Sequence, residues 1–405
     1  MKYDIIVSGS GPAGSIAAKI AAENGLKTLV LERHSLEPRF EKPCGGSMPK
    51  LVFTDFNIPP EKVAEKEIVG NIIVAPNRNE YVLEVPGELY GWNVKRSVFD
   101  KYLCQGAIDS GAEVMENTLV NELIFKNRQV IGIKAKYEGK IKEFFSNLTI
   151  AADGVGSKIV VEAGLRNKWD VKKDLGRCAV AFVSNYNLKN EKKDSKYNQF
   201  YLSNEIAPNA YGWVFPLSGN LVNVGIGIHK LTDANPMDYL RKFINWVGIK
   251  NKFDNPKIEW KSNYPVPVSG IKGKTFTDGL IAVGDSAGFV SPWLGEGIYF
   301  AMWTGKFAAE TAIEAHEKED FSKNSLKIYK KKYTKKKFPS IFSAHKAFRA
   351  LIMTDLEKSV NAIINLLNTN PEAQNILKNT LIGESKEIPP DLMVKVLNLI
   401  QEALR

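Results

Sequence analysis

"DIIVSGSGPAGSIAAKIAAENGLKTLVLER", residues 4–33, decides the fold. An apolar run from Ile5 to Val7 enters a glycine turn; an alanine-rich stretch from Pro12 to Asn24 follows, then a second apolar run from Thr28 to Leu31. Runs of this length bounded by turn residues read as strands, and the stretch between them reads as a helix, so the segment is a βαβ unit. Gly9, Gly11 and Gly14 have the G-x-G-x-x-G spacing. The first glycine allows the tight turn, the second lets the backbone approach a pyrophosphate, and the third lets helix and strand pack closely. The pyrophosphate would sit at the helix N-terminus, at Pro12 and Ala13, where free N–H groups and the dipole favour an anion. Glu32, next to Arg33 at the tip of the second strand, is placed to accept hydrogen bonds from an adenosine ribose.

A nicotinamide-binding domain continues as alternating strands and helices, whereas this chain turns into loops and short strands such as "NIIVAPNRNEYVLEV" (71–85), which read as antiparallel. Two later segments place aspartates at strand ends. "NLTIAADGVGSKIVVEAGL" (147–165) is a buried strand ending in Asp153-Gly154, with Gly156 and Ser157 opening a helix. "GLIAVGDSAGFVSPWLGEGIYFAMWTGKFAAE" (279–310) is a strand ending in Gly284-Asp285, then a turn and a helix from about Ile298. Ligands lie at the carboxyl ends of strands in an open α/β sheet. Asp285 suits a ribityl hydroxyl, and Gly295 and Gly297 free the backbone to approach a flat ring at a helix N-terminus. Three such strand ends point to a long, extended cofactor.

The order GSGPAG, Glu32, "RSVFD" (96–100, beginning at Arg96), "AADG" (151–154) and "GDSAG" (284–288) resembles the FAD-dependent group of aromatic hydroxylases, tryptophan halogenases and geranylgeranyl reductases, over about residues 1–315. Within it, "KPCGGSMP" (42–49) and the 279–310 segment look like the geranylgeranyl reductase family, most like the branch acting on chlorophyll-type side chains. "YGWVFP" is similar to that family's Y-x-W-x-F-P substrate signature at Tyr211, Trp213, Phe215 and Pro216. Read alone, Cys44 is a small apolar filler in a turn. The resemblance implies instead that the loop of Cys44, Gly45 and Gly46 borders the flavin's reactive ring, and that Cys44 places or supplies a proton. It further implies FAD held by Gly9, Gly11, Pro12, Ala13, Gly14, Glu32, Arg33, Cys44, Gly45, Arg96, Asp153, Gly154, Gly284, Asp285, Gly295, Gly297 and Ile298, with Trp293 joining the 211–216 aromatics at the substrate.

The implied fold is α/β: a discontinuous Rossmann-like FAD domain (1–67, 92–160, 275–315), an antiparallel-sheet substrate domain (68–91, 161–274) and a helical C-terminal region (316–405). In the substrate domain, residues 178–186, 198–203, 211–216 and 221–228 read as strands covered by an amphipathic helix at 237–248, one sheet face being free to line a cavity. Pro389-Pro390 would set off a last short helix.

The implied activity is hydrogenation of C=C bonds in a geranylgeranyl chain on a lipid or pigment, with hydride from reduced flavin and electrons from NADPH or ferredoxin. Two alternatives stand beside it: a flavin hydroxylase or halogenase, and a flavin- or lipid-binding protein without chemistry. Tyr211 and Phe215 depart from the halogenase W-x-W-x-I-P pattern.

Composition sets the surroundings. Three well-separated cysteines and four histidines (His34, His229, His316, His345) give neither a disulfide framework nor metal-ligand spacing. No run reaches the roughly 18 apolar residues of a membrane span, and the start enters a strand directly, so cytoplasmic location is expected. The net charge of +10 is concentrated in "KIYKKKYTKKKF" (327–338). No nucleic-acid module accompanies it. The run reads either as a solvated helix face or as an attachment to anionic membrane, with Tyr329, Tyr333 and Phe338 at the lipid interface.

Overall fold

The strand Lys2–Ser8 buries Ile5, Ile6 and Val7 completely, as a central parallel strand covered on both faces must. In this computed structural model, which describes residues 2–84, 87–187, 195–230, 234–246, 249, 251–375 and 398, that strand is the middle of a parallel array. Thr28–Leu31 and then Glu113–Met115 lie on one side, Lys140–Ala151 and then Leu280–Ala282 on the other. The order therefore reverses beside Lys2–Ser8, the switch point at which such sheets leave a crevice past their carboxyl ends. An antiparallel pair, Thr118–Lys126 and Gln129–Tyr137, extends from Lys140–Ala151. The helix Pro12–Glu23 packs on the helix Ile298–Glu317, at a crossing so close that a Cβ on Gly305 would overlap the Ala13 carbonyl.

Packing divides the chain into two units. The first holds residues 1–41, 97–169 and 267–342; the second holds 42–96, 170–266 and 343–405. Against the expected segments, residues 42–67 group with the second unit and 316–342 with the first.

The second unit is built on a seven-stranded sheet in the order Phe253–Pro267, Leu175–Tyr186, Val222–Ile228, Gly212–Pro216, Tyr197–Tyr201, Gly70–Val74, Glu80–Glu84. The expected hairpin Gly70–Val74 with Glu80–Glu84 is antiparallel. Tyr197–Tyr201 joins Gly70–Val74 in parallel, which makes the sheet mixed. One face packs against the amphipathic helix Pro236–Ile244, over a core that includes Val214, Val224, Ile226 and Phe243.

Helices follow Ile298–Glu317: Lys323–Leu326, Ile328–Lys335, Phe338–Ile352 and Leu356–Thr369. The expected final helix after Pro389-Pro390 lies outside the described residues. The lysine run corrects the expectation in its aromatic half. Tyr329, Tyr333 and Phe338 are 0%, 4% and 1% exposed and gather around Phe289 at centroid distances of 5.1–6.5 Å. They are core residues. Lys332 pairs with Glu310 and Glu314 at 3.0 Å each, and Lys336 lies over the Trp303 ring at 3.8 Å. Lys330, Lys331 and Lys335 are exposed.

Candidate functional site

In the first unit the glycine turn is fixed by contact. Gly9 has φ +95°, and a Cβ there would stand 2.7 Å from the Ala152 carbonyl oxygen; one on Gly14 would overlap the Gly9 carbonyl. Around Gly11 nothing among the described residues lies within 4 Å of a Cβ. Gly11 also caps the helix Pro12–Glu23 without a side-chain bond, so no capping side chain occupies the helix N-terminus.

Glu32 closes over this turn. Its Oε2 accepts from the Ser10 amide at 2.9 Å and the Ser10 hydroxyl at 2.7 Å, and its Oε1 accepts from the His34 amide at 2.9 Å. Burial pushes its pKa up, but His34, the Ser10 amide and Arg39 together hold the carboxyl well below the usual range. Sequence reasoning missed Arg39. Its Nη2 donates to the Ser10 carbonyl at 2.8 Å and the Ser10 hydroxyl at 2.9 Å, while Nη1 is buried without a hydrogen-bond partner among the described residues. Arg33 is exposed.

Asp153 follows the strand Lys140–Ala151, and Gly154 turns the chain at φ +77°. Burial raises the Asp153 carboxyl to about 6, and its Oδ1 is buried with no hydrogen-bond partner among the described residues. Past the strand Leu280–Ala282, the Gly284 amide donates to Thr304 Oγ1 at 3.1 Å, and a Cβ on Gly297 would stand 3.2 Å from Asp285 Oδ1. Gly295 has φ +68°, and Ile298 begins the 20-residue helix. Trp293, half-buried in the preceding loop, belongs to this unit and not to that of Trp213. Open space at Gly11, a spare guanidinium donor and a spare carboxylate acceptor fit an extended ligand bearing phosphates and hydroxyls, as FAD does.

In the second unit the sheet face opposite the helix is aromatic. Trp213 and Phe215 cluster there with Val180, and Cys178, Phe200, Tyr211 and Trp260 pack beside them. A Cβ on Gly225 would overlap the Trp213 indole, so this glycine is what lets the ring lie flat on the strand Val222–Ile228.

The Cys44–Gly46 loop runs over that face. A Cβ on Gly45 would come within 2.9 Å of Phe215 Cε2, and one on Gly46, at φ +74°, would overlap the Val94 carbonyl. The glycine pair after Cys44 is therefore required by close approach. Three buried amides stitch the loop down, none of them visible as a motif. Asn223 donates to the Cys44 carbonyl at 2.7 Å; Asn198 donates to Ser47 Oγ at 2.7 Å; Asn93 donates to Asn198 Oδ1 and the Pro216 carbonyl, both at 2.8 Å. Burial, then nearby Cys44, push the Cys178 thiol up to about 12, so it stays protonated. Arg96 is buried at the start of the helix Arg96–Asp109. The structure thus brings Cys44 and Gly45 together with Trp213 and Phe215 from far along the chain.

A glycine-turn nucleotide cradle combined with a mixed sheet bearing an aromatic face is the architecture of the flavin-dependent oxidoreductases. Flavin-dependent brominase Bmp2 superposes with a TM-score of 0.78 at 20% identity over 99% of both chains, a likeness of fold alone. The geranylgeranyl bacteriochlorophyll reductase-like protein of Thermoplasma acidophilum superposes with a TM-score of 0.81 at 29% identity, over 98% of this chain and 99% of its own. The family model of the geranylgeranyl reductase catalytic domain matches residues 180–261. The digeranylgeranylglycerophospholipid reductase of Methanocaldococcus jannaschii is 34% identical over 93% of each chain, and reductase 2 of Methanothermobacter thermautotrophicus 32% identical over 97% of this chain and 99% of its own. The chain belongs to the geranylgeranyl reductase family.

Proposed function

We propose that the protein is an FAD-dependent reductase that saturates the isoprenoid C=C bonds of a lipid of the digeranylgeranylglycerophospholipid type. The observation that carries this reading is the Cys44–Gly46 loop laid over the aromatic face of the second unit, much of which falls within residues 180–261. The curated relatives named above act, by their names, on glycerophospholipids, which moves the preferred substrate from a chlorophyll side chain to a membrane lipid.

Saturating an isolated double bond takes a hydride to one carbon and a proton to its neighbour; bound reduced FAD supplies the hydride. The protein's own groups do the rest. The Gly9–Gly14 turn and the amides opening its helix hold the pyrophosphate, helped by Arg39. Glu32 keeps the turn closed, Asp153 and Asp285 accept from hydroxyls, and Gly295, Gly297 and Ile298 admit the ring. Tyr211, Trp213 and Phe215 bind the apolar chain and exclude water, burial contributing about 25 cal/mol per Å². Cys44 places or supplies the proton. Electrons come from NADPH or reduced ferredoxin. A substrate this apolar resides in a bilayer, so the protein collects it at the membrane surface, with exposed lysines attracting anionic head groups.

The purified protein should carry FAD or take it up; a colourless protein that cannot be reconstituted contradicts the reading. Cys44→Ala should keep FAD and lose roughly a hundredfold in rate, or misplace the hydrogens, as expected for removal of a proton-handling group. Unchanged rate and products would reduce Cys44 to a packing role.

A further inference from the structure

Asn223 is the one polar side chain in the strand Val222–Ile228, VNVGIGI, and it is 1% exposed. A buried carboxamide is costly unless its donor and acceptor are both satisfied. Here neither partner lies on its own strand. Asn223 Oδ1 accepts from the Trp213 indole N–H at 2.9 Å, and Nδ2 donates to the Cys44 carbonyl at 2.7 Å. The orientation of the amide follows from its partners. An indole nitrogen only donates and a carbonyl only accepts, so a flipped amide would face donor with donor and acceptor with acceptor.

The two partners are the aromatic face and the thiol-bearing loop. Gly45 lies so close to the Phe215 ring that the loop has little freedom to slide across it, yet glycine-rich backbone has no side chain of its own with which to hold a position. The bond from Asn223 gives the loop a fixed point one residue before Gly45, at the cysteine itself.

We propose that Asn223 is a positioning residue: by bridging the Trp213 indole and the Cys44 carbonyl it sets where the Cys44 thiol stands relative to a chain lying on the aromatic face, and so which carbon of a double bond receives the proton. This rests on the reductase reading for its consequence, but the bridge can be tested without turnover.

The first measurement is peptide-resolved alkylation of Cys44 by iodoacetamide, with buried Cys104 as the internal control for global opening. Asn223→Asp keeps an acceptor for the indole and removes the donor to Cys44. It should raise the Cys44 alkylation rate roughly five- to tenfold, the loss of one hydrogen bond, with Cys104 unchanged. The second is turnover. Asn223→Asp should bind FAD as the wild type does, lower kcat with little change in KM, and shift the distribution of partly reduced products. Asn223→Gln, whose amide is one methylene longer, should restore part of the product pattern; Asn223→Ala, which has no donor, serves where the buried aspartate prevents folding, and is expected to match Asn223→Asp. Wild-type alkylation and wild-type products in a folded variant lacking the donor would overturn the proposal. Failure of the wild type to reduce any isoprenoid, with the alkylation difference intact, would refute the reductase reading and leave the bridge standing.

Discussion

Asp153 shows how a single buried carboxyl records the site around it. Its pKa is raised from 3.8 to about 6, so the fold favours the protonated form. The stabilisation is fully present below about pH 4 and is lost as pH rises through 6. In flavin-free protein at pH 7, Asp153→Asn should therefore be more stable than the wild type by roughly 1–2 kcal/mol, less than the full shift implies because Asp153 keeps some solvent exposure. Near pH 4 the two should melt together, and with FAD bound the order should reverse if, as proposed, a cofactor hydroxyl pairs with the carboxylate. Thermal melts at both pH values check this; a difference independent of pH contradicts it. Asp153 stood out in the sequence because an aspartate at the carboxyl end of a buried strand that leads into a helix is a positional signal. Arg39 was not, because "ERHSLEPRF" carries no spacing rule, and only the folded loop brings that guanidinium back to Ser10.

At the scale of elements, what the sequence revealed and what it hid divide along a physical line. The unit Lys2–Ser8, Pro12–Glu23, Thr28–Leu31 was recoverable because its signal, three spaced glycines between two apolar runs, lies in one contiguous stretch, although the contact that demands a glycine at position 9 is with distant Ala152. The aromatic face was half recoverable. Tyr211, Trp213, Phe215 and Pro216 stood out as a motif, while Asn93, Asn198 and Asn223 did not, since a lone amide in a strand reads the same buried or exposed until its partner is known. The lysine helix went astray for a related reason: Tyr329 and Tyr333, four apart on one helical face, pointed inward by their spacing, and the surrounding charge masked it. Gly225 gives the test at this scale. Gly225→Ala leaves the strand free to form but forces the Trp213 indole off the sheet, at a cost of about 1–3 kcal/mol. The lifted ring should shorten the space for the isoprenoid. Chemical denaturation and the product distribution check it, the expected result being incomplete reduction of long chains and near-normal handling of short ones. Equal products from both chain lengths would contradict the placement of Trp213.

For the whole molecule, the surface and the substrate must agree. Among the described residues no helix is long and apolar enough to cross a membrane. With Tyr329, Tyr333 and Phe338 in the core, the proposed attraction to a bilayer is left, within residues 327–338, to the exposed lysines. Lys331→Glu with Lys335→Glu should weaken binding to anionic vesicles by tenfold or more, at about 1 kcal/mol per charge, while turnover of detergent-dispersed lipid stays largely intact. Added salt should have the same effect. Equal sedimentation with neutral and anionic vesicles at low salt would show that these lysines only solvate a helix. Whatever brings the lipid to the protein, the chemistry is decided in one anaerobic experiment. Dithionite-reduced, FAD-loaded protein is freed of excess reductant and mixed with digeranylgeranylglycerophospholipid. The flavin spectrum should return to the oxidised form as the lipid gains the mass of one H2 per flavin turned over. A flavin that stays reduced beside a lipid of unchanged mass, in protein that binds that lipid, would contradict the assignment as a reductase.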